Sequence, residues 1–209
     1  METITDRKII TVLKRLVLAE PTTLLAWAFD ERLWKLAYKV SIQIIRKSSI
    51  KESKDRDFSA TPAVAWPHIS AALITGKIKP EDFHKMELAS ELYAPKMEIS
   101  GIEILPGRVD DYLSLKLKGN YNFDKFFDFA IELFGKERVK DYRTSLSPEH
   151  KPHASILAVS KEDSQKLEPL LGEITKALKS ASLLGRKIKA DRLLTFENFE
   201  ISKVHFIET

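Results

Sequence analysis

Hydrophobic positions along the chain switch between a period near 3.6 residues and a period near two, and each switch marks an element. Over residues 6–18, Ile9, Ile10, Leu13, Leu16 and Val17 recur at helical spacing. Glu20-Pro21 closes that segment, because the residue before proline is pushed out of helical geometry. Residues 22–29 are a short apolar run bounded by Pro21 and Asp30, which predicts a buried strand. Helical spacing returns over 31–45 through Leu33, Trp34, Ala37, Val40, Ile44 and Ile45. The polar stretch 46–62, dense in lysine, serine and aspartate, predicts a mobile loop.

Residues 63–75 predict a second strand. Residues 79–93 predict a helix with Pro80 near its start, where a missing N–H costs little. Residues 97–105 alternate in part, with Met97, Ile99 and Gly101 on one face and Ile102 and Ile104 on the other. Residues 112–117 alternate more cleanly, Leu113, Leu115 and Leu117 against Ser114, Lys116 and Lys118. Turn chemistry over 106–111 joins these two segments into a predicted hairpin. An aromatic-rich helix follows over 123–134, then a loop over 143–151 and a strand over 152–159. Ser160 caps a further helix that Pro169 should kink, and the period continues through Leu171, Ile174, Leu178 and Ala181 to a stop at Gly185. Two strand-like runs, around 193–196 and 201–207, end the sequence. Strands and helices interleaved with hairpins predict an α+β fold, organised as a helical extension over 1–20 and one domain over 21–209.

Composition narrows the function classes. The 209 residues are 44% hydrophobic and 31% charged, ordinary for a globular protein, with a formal charge of +4. That mild excess suits an anionic ligand without requiring nucleic acid. The chain has no cysteine, which removes disulfides, thiolate nucleophiles and sulfur-ligated zinc. Its apolar runs fall far short of the roughly 20 residues of a spanning helix, and residues 1–7 lack the pattern of a signal peptide. The expectation is a cytoplasmic protein with no membrane association and no obligate protein partner.

The chemistry concentrates in the histidines. Of five, two stand in the same frame, Pro67-His68-Ile69-Ser70 and Pro152-His153-Ala154-Ser155, each leading into an apolar run. Residues two apart in a strand point to the same face, so each histidine projects with its serine while Ile69 and Ala154 turn into packing. Two such strands side by side would bring two imidazoles and two hydroxyls to one cleft. A neutral imidazole can take a proton from an attacking hydroxyl or water, and an imidazolium can give one to the leaving oxygen. The hydroxyls can hold non-bridging phosphate oxygens as charge builds. This chemistry needs no cofactor, and no His-Glu-x-x-His or carboxylate cluster is present to hold a metal.

The two His-x-Ser motifs, 85 residues apart from 68 to 153 and both on apolar strands, resemble the two-histidine (2H) phosphoesterase superfamily. Its pattern of His, apolar, Ser or Thr, apolar is matched by His68-Ile69-Ser70-Ala71 and His153-Ala154-Ser155-Ile156. The resemblance spans about residue 22 to the end, and 110–156 is similar to the phage branch that destroys cyclic oligonucleotide signals (anti-CBASS type). It implies two pseudo-symmetric lobes with antiparallel sheets around a central cleft and helices outside. It further implies a metal-independent phosphodiesterase with His68, Ser70, His153 and Ser155 as catalytic residues. The implied substrate is RNA with a 2′,3′-cyclic phosphate end, a 2′–5′ or 3′–5′ linked oligonucleotide, or a cyclic di- or trinucleotide. A nucleotide-binding protein without turnover, or a protein-interaction module using the N-terminal helix, are the readings outside the class. Trp66 as a base-stacking residue, and Tyr142 and Arg143 as substrate contacts, are secondary candidates against ordinary core or solvated roles. For His84, His150 and His205 the ordinary structural role is expected.

Overall fold

The computed structural model describes residues 22–50, 68–106, 110–119, 123–140, 153–197 and 200–207. Along these the order is β1 (Thr22–Ala28), α1 (Glu31–Lys47), β2 (His68–Thr75), α2 (Pro80–Tyr93), β3 (Lys96–Leu105), β4 (Asp111–Lys118) and α3 (Phe123–Phe134). Then come β5 (Val139–Lys140), β6 (His153–Val159), α4 (Lys161–Leu167), α5 (Leu171–Ser180), β7 (Lys187–Lys189), β8 (Arg192–Glu197) and β9 (Glu200–Phe206). All strand pairings are antiparallel. They form two sheets, β5-β2-β1-β8-β9 and β6-β4-β3-β7. Leaving aside the two-residue β5, each sheet is a four-stranded lobe that begins with one of the motif strands, β2 or β6. The α+β class and the two-lobed plan are therefore as the resemblance implies.

Helices cover one face of each sheet. Trp27 on β1 is buried against Phe126 of α3, ring centroids 4.7 Å apart. At the far edge the Lys203 ammonium stands 4.1 Å from the Phe83 ring of α2. In the second lobe α5 packs on β3, and α1 packs on both α5 and β6. The alternating leucines of β4, Leu113, Leu115 and Leu117, are buried on that side. α1 starts where Asp30 caps it, the carboxylate accepting from the Arg32 amide at 2.9 Å. Arg32 also donates through its side chain, which holds the Asp30 carboxyl below its ordinary range. No described helix is long and apolar enough to cross a membrane.

Several expectations change. The loop placed at 46 starts later, since α1 runs to Lys47 and Ile50 is buried; 51–62 lies outside the described residues, as do the helix over 6–18 and the loop over 143–151. In β3 a bulge between Ile99 and Gly101 inserts one residue and returns Ile102 to the buried face of Met97 and Ile99. Simple alternation puts Ile102 on the opposite face. The last long helix ends at Ser180 rather than at Gly185. Ala181 caps it and Ser182 takes the left-handed conformation, φ 56°. Pro169 does split the helices, through a single 3-10 turn at Glu168–Leu170.

Candidate active site

The two motifs occupy equivalent places. His68 opens β2 and His153 opens β6, and from each histidine onward the four residues alternate half-buried, buried, half-buried, buried. His68 and Ser70 thus share one face while Ile69, 3% exposed, packs into the core; His153 and Ser155 do the same around Ala154, 1% exposed. In the first lobe the helices lie on the Ile69 and Trp27 face, so the motif sits on the other. In the second lobe the buried leucines of β4 define the helix-covered face, and the motif again sits opposite. β5 pairs only with Leu73 and Ile74, so among the described residues no strand pairs with the His68 end of β2 on that edge. β6 is the edge strand of its own sheet, and β2 and β6 adjoin. The structure therefore sets the two motif strands next to each other across the junction of the lobes.

Neighbouring strands shape each motif differently. On β1, Ala28 stands in register with His68 and Ala26 with Ser70, so no bulky side chain crowds the imidazole or the hydroxyl from that strand. These alanines join Leu194 and Phe196 in a small apolar cluster of their own. The Phe196 ring is 5.5 Å from the His68 ring, tilted by 46°. On the second lobe the surroundings are polar. Ser155 faces Ser114 across the β6–β4 pair, hydroxyl to hydroxyl at 3.2 Å, and Ser114 is fully buried. Lys116 stands opposite His153 and is paired with Glu103 at 3.3 Å. The Trp34 indole of α1 donates to the Ser155 carbonyl at 3.2 Å, which ties the second motif to the first turns of α1.

The secondary candidates are not brought into this picture. Trp66, Tyr142 and Arg143 lie outside the described residues, as does His150. His84 and His205 belong to the helix-covered side of the first lobe. His84 meets Glu87, and His205 lies between Glu87 at 3.7 Å and Glu91 at 3.3 Å. Among the described residues no three histidine, aspartate or glutamate side chains are grouped to hold a metal ion. Ser114, Lys116, Phe196 and Trp34 were not evident as neighbours of the site. The polar row Ser114, Lys116, Lys118 is readable in the alternation of β4, but its alignment with β6 depends on a register shift between Leu113 and Ser114.

The architecture is a two-lobed α+β fold of two antiparallel sheets. It is shared with TT0787 of Thermus thermophilus, at a TM-score of 0.52 and 10% identity over 89% of this chain and 97% of that one. Kluyveromyces marxianus Usb1, alone and with uridine monophosphate, superposes with TM-scores of 0.46 and 0.45 at 8% and 11% identity, over 91% of this chain and 100% of each. No family model and no curated protein matches the chain. The likeness to TT0787, at 10% identity, carries the fold alone.

Proposed function

We propose that the chain is a metal-independent phosphodiesterase of the two-histidine class, cleaving ribonucleotide phosphodiesters. The observation that carries this is the equivalence of the motifs. Two His-x-Ser pairs begin two adjoining strands, one per lobe, with the same exposure pattern, on the faces opposite the described helices. One imidazole takes the proton of a water or of a neighbouring 2′-hydroxyl, and the other, protonated, gives a proton to the leaving oxygen. Which histidine has which role follows from the direction in which the substrate lies. Ser70 and Ser155 hold the non-bridging oxygens as negative charge builds there. For Ser155 the bond with buried Ser114 fixes the rotor, so the hydroxyl is oriented before substrate arrives.

The test is turnover of a panel: RNA ending in a 2′,3′-cyclic phosphate, 2′–5′ oligoadenylate, and cyclic di- and trinucleotides, each with product analysis and with EDTA present. His68→Ala and His153→Ala should each lower the rate by ~10²–10⁴-fold. The double variant should be little worse than either single one, because losing one partner already breaks the concerted transfer. Near-normal turnover by either single variant, or activity abolished by EDTA and restored by one divalent ion, would refute the mechanism.

A further inference from the structure

The face of the second lobe that carries His153 does not end at the motif. Along β4, Lys116 stands opposite His153, and two residues on, Lys118 points to the same side, ~7 Å further along the strand. There β3, the end of β4 and β7 enclose an open groove of about 780 Å³ bordered by Lys96, Glu98, Lys118, Lys187 and Lys189. Its floor requires Gly119. A Cβ there would come within 2.7 Å of the Lys96 carbonyl oxygen, at a φ of +151°.

Charge in this groove is unbalanced. Glu98 pairs with Lys118 at 2.9 Å. Lys187 stands opposite Glu98 in the register, so one carboxylate is shared between Lys118 and Lys187, and among the described residues none is in ion-pair distance of Lys96 or Lys189. The β3–β7 register sets Lys96 directly opposite Lys189, an arrangement that destabilises a strand pair when the charges are alike. An anion lying between the two ammonium groups removes that repulsion. We infer that this groove binds the phosphodiester backbone of an oligonucleotide whose scissile linkage lies at the motifs. The inference rests on the reading of the site above and deepens it. It selects a linear strand, long enough to run from His153 past Lys118, over a compact cyclic di- or trinucleotide.

The experiment uses the full chain. Binding is read by fluorescence anisotropy with a labelled 2′-O-methyl strand of about ten nucleotides, which has no free 2′-hydroxyl and reports binding without cleavage. Turnover is read in parallel as kcat/KM on short and long RNA substrates. Lys96→Ala/Lys187→Ala/Lys189→Ala should weaken binding by roughly 10- to 100-fold near physiological salt and reduce the slope of log affinity against log salt by ~2, since each phosphate contact on a single strand contributes ~0.7. The advantage of long over short substrate should collapse towards one. A control with the same charge change on helices, Lys39→Ala/Lys47→Ala/Lys176→Ala, should retain most of the binding. Thermal melts establish that both triple variants are folded. The inference falls if the groove variant binds like wild type, if the control loses as much, or if a poly-aspartate peptide of equal charge binds as tightly as the strand. If groove-dependent binding is seen while no substrate turns over, the groove stands and the catalytic reading falls; turnover indifferent to the lysines and to length gives the reverse.

Discussion

Two buried phenylalanines on opposite faces of the first lobe allow the site to be separated from the scaffold. Phe196 is 2% exposed and tilts against His68 on the motif-bearing face; Phe126 is fully buried and tilts against Trp27 on the helix-covered face. Phe→Leu at either position removes one ring contact, ~0.5–1.5 kcal/mol beyond burial, and adds up to ~1.5 kcal/mol for imperfect repacking. The expected loss is therefore about 2 kcal/mol for each variant, or roughly 4–8 °C in Tm for a chain of this size. Their effects on catalysis should diverge. Phe196→Leu frees the His68 ring to leave its productive position, and an error near 1 Å in a reacting group is worth as much as ~10² in rate. We expect kcat to drop roughly 10- to 100-fold with KM little changed, and the pH profile of kcat, which one acid and one base should make bell-shaped, to shift. Phe126→Leu should melt at a similarly lowered temperature and keep both kcat and the profile. The assay is kcat and KM against pH for both variants at a temperature well below either midpoint. Wild-type turnover and an unmoved profile in folded Phe196→Leu would refute the idea that this ring positions His68.

Other expectations are shorter. Ser114→Ala should cost about 1 kcal/mol, the net value of a buried hydrogen bond, and lower turnover less than Ser155→Ala does; a double-mutant cycle should show strong coupling, and additive losses would mean that the two hydroxyls act separately. Trp34→Phe keeps an aromatic ring but shortens it and deletes the donor to the Ser155 carbonyl, so it should cost at least about 0.5–1.5 kcal/mol in a melt, and an unchanged midpoint would count against that tie. Asp30→Ala should cost about 0.5–2 kcal/mol through the lost helix cap. Because Arg32 holds the Asp30 carboxyl below its usual 3.8, this contribution is complete above pH 3.8 and is lost as the pH falls through the depressed value. Asp30→Asn keeps a capping oxygen and should flatten that acid-side loss in melts run from pH 5 downward.

Much of the fold was legible because it rests on local periodicity. The strong alternation of 112–117 and the helical stripe of 31–45 became β4 and α1 with ends displaced by one or two residues. Short elements carried no such signal. Val139–Lys140 is a strand only because Leu73 and Ile74 pair with it, and Lys187–Lys189 only because Lys96, Met97 and Glu98 do. The bulge in β3 was likewise invisible, since one inserted residue changes the face of everything after it without changing composition. At the candidate site, the four residues proposed as catalytic come from the paired motif itself. Its neighbours were hidden because they come from strands distant in sequence, and only the register of β6 on β4 and of β2 on β1 sets Ser114 beside Ser155 and Ala28 beside His68.

The sheet orders also set a sequence of assembly. The β3–β4–β6 portion of the second sheet spans residues 96 to 159 and contains a hairpin, so its pairing is local. The first sheet instead joins β1 to β8, with Leu25 against Thr195, about 170 residues apart. Closing so long a loop is entropically expensive and slow. During synthesis the His153 lobe has its ladder available well before the His68 lobe has its full complement of strands. Phe196, whose ring stands 5.5 Å from that of His68, arrives among the last strands described. A partly synthesised chain therefore carries one imidazole in place and the other without its support, so competence for proton transfer should appear only when β8 has docked on β1.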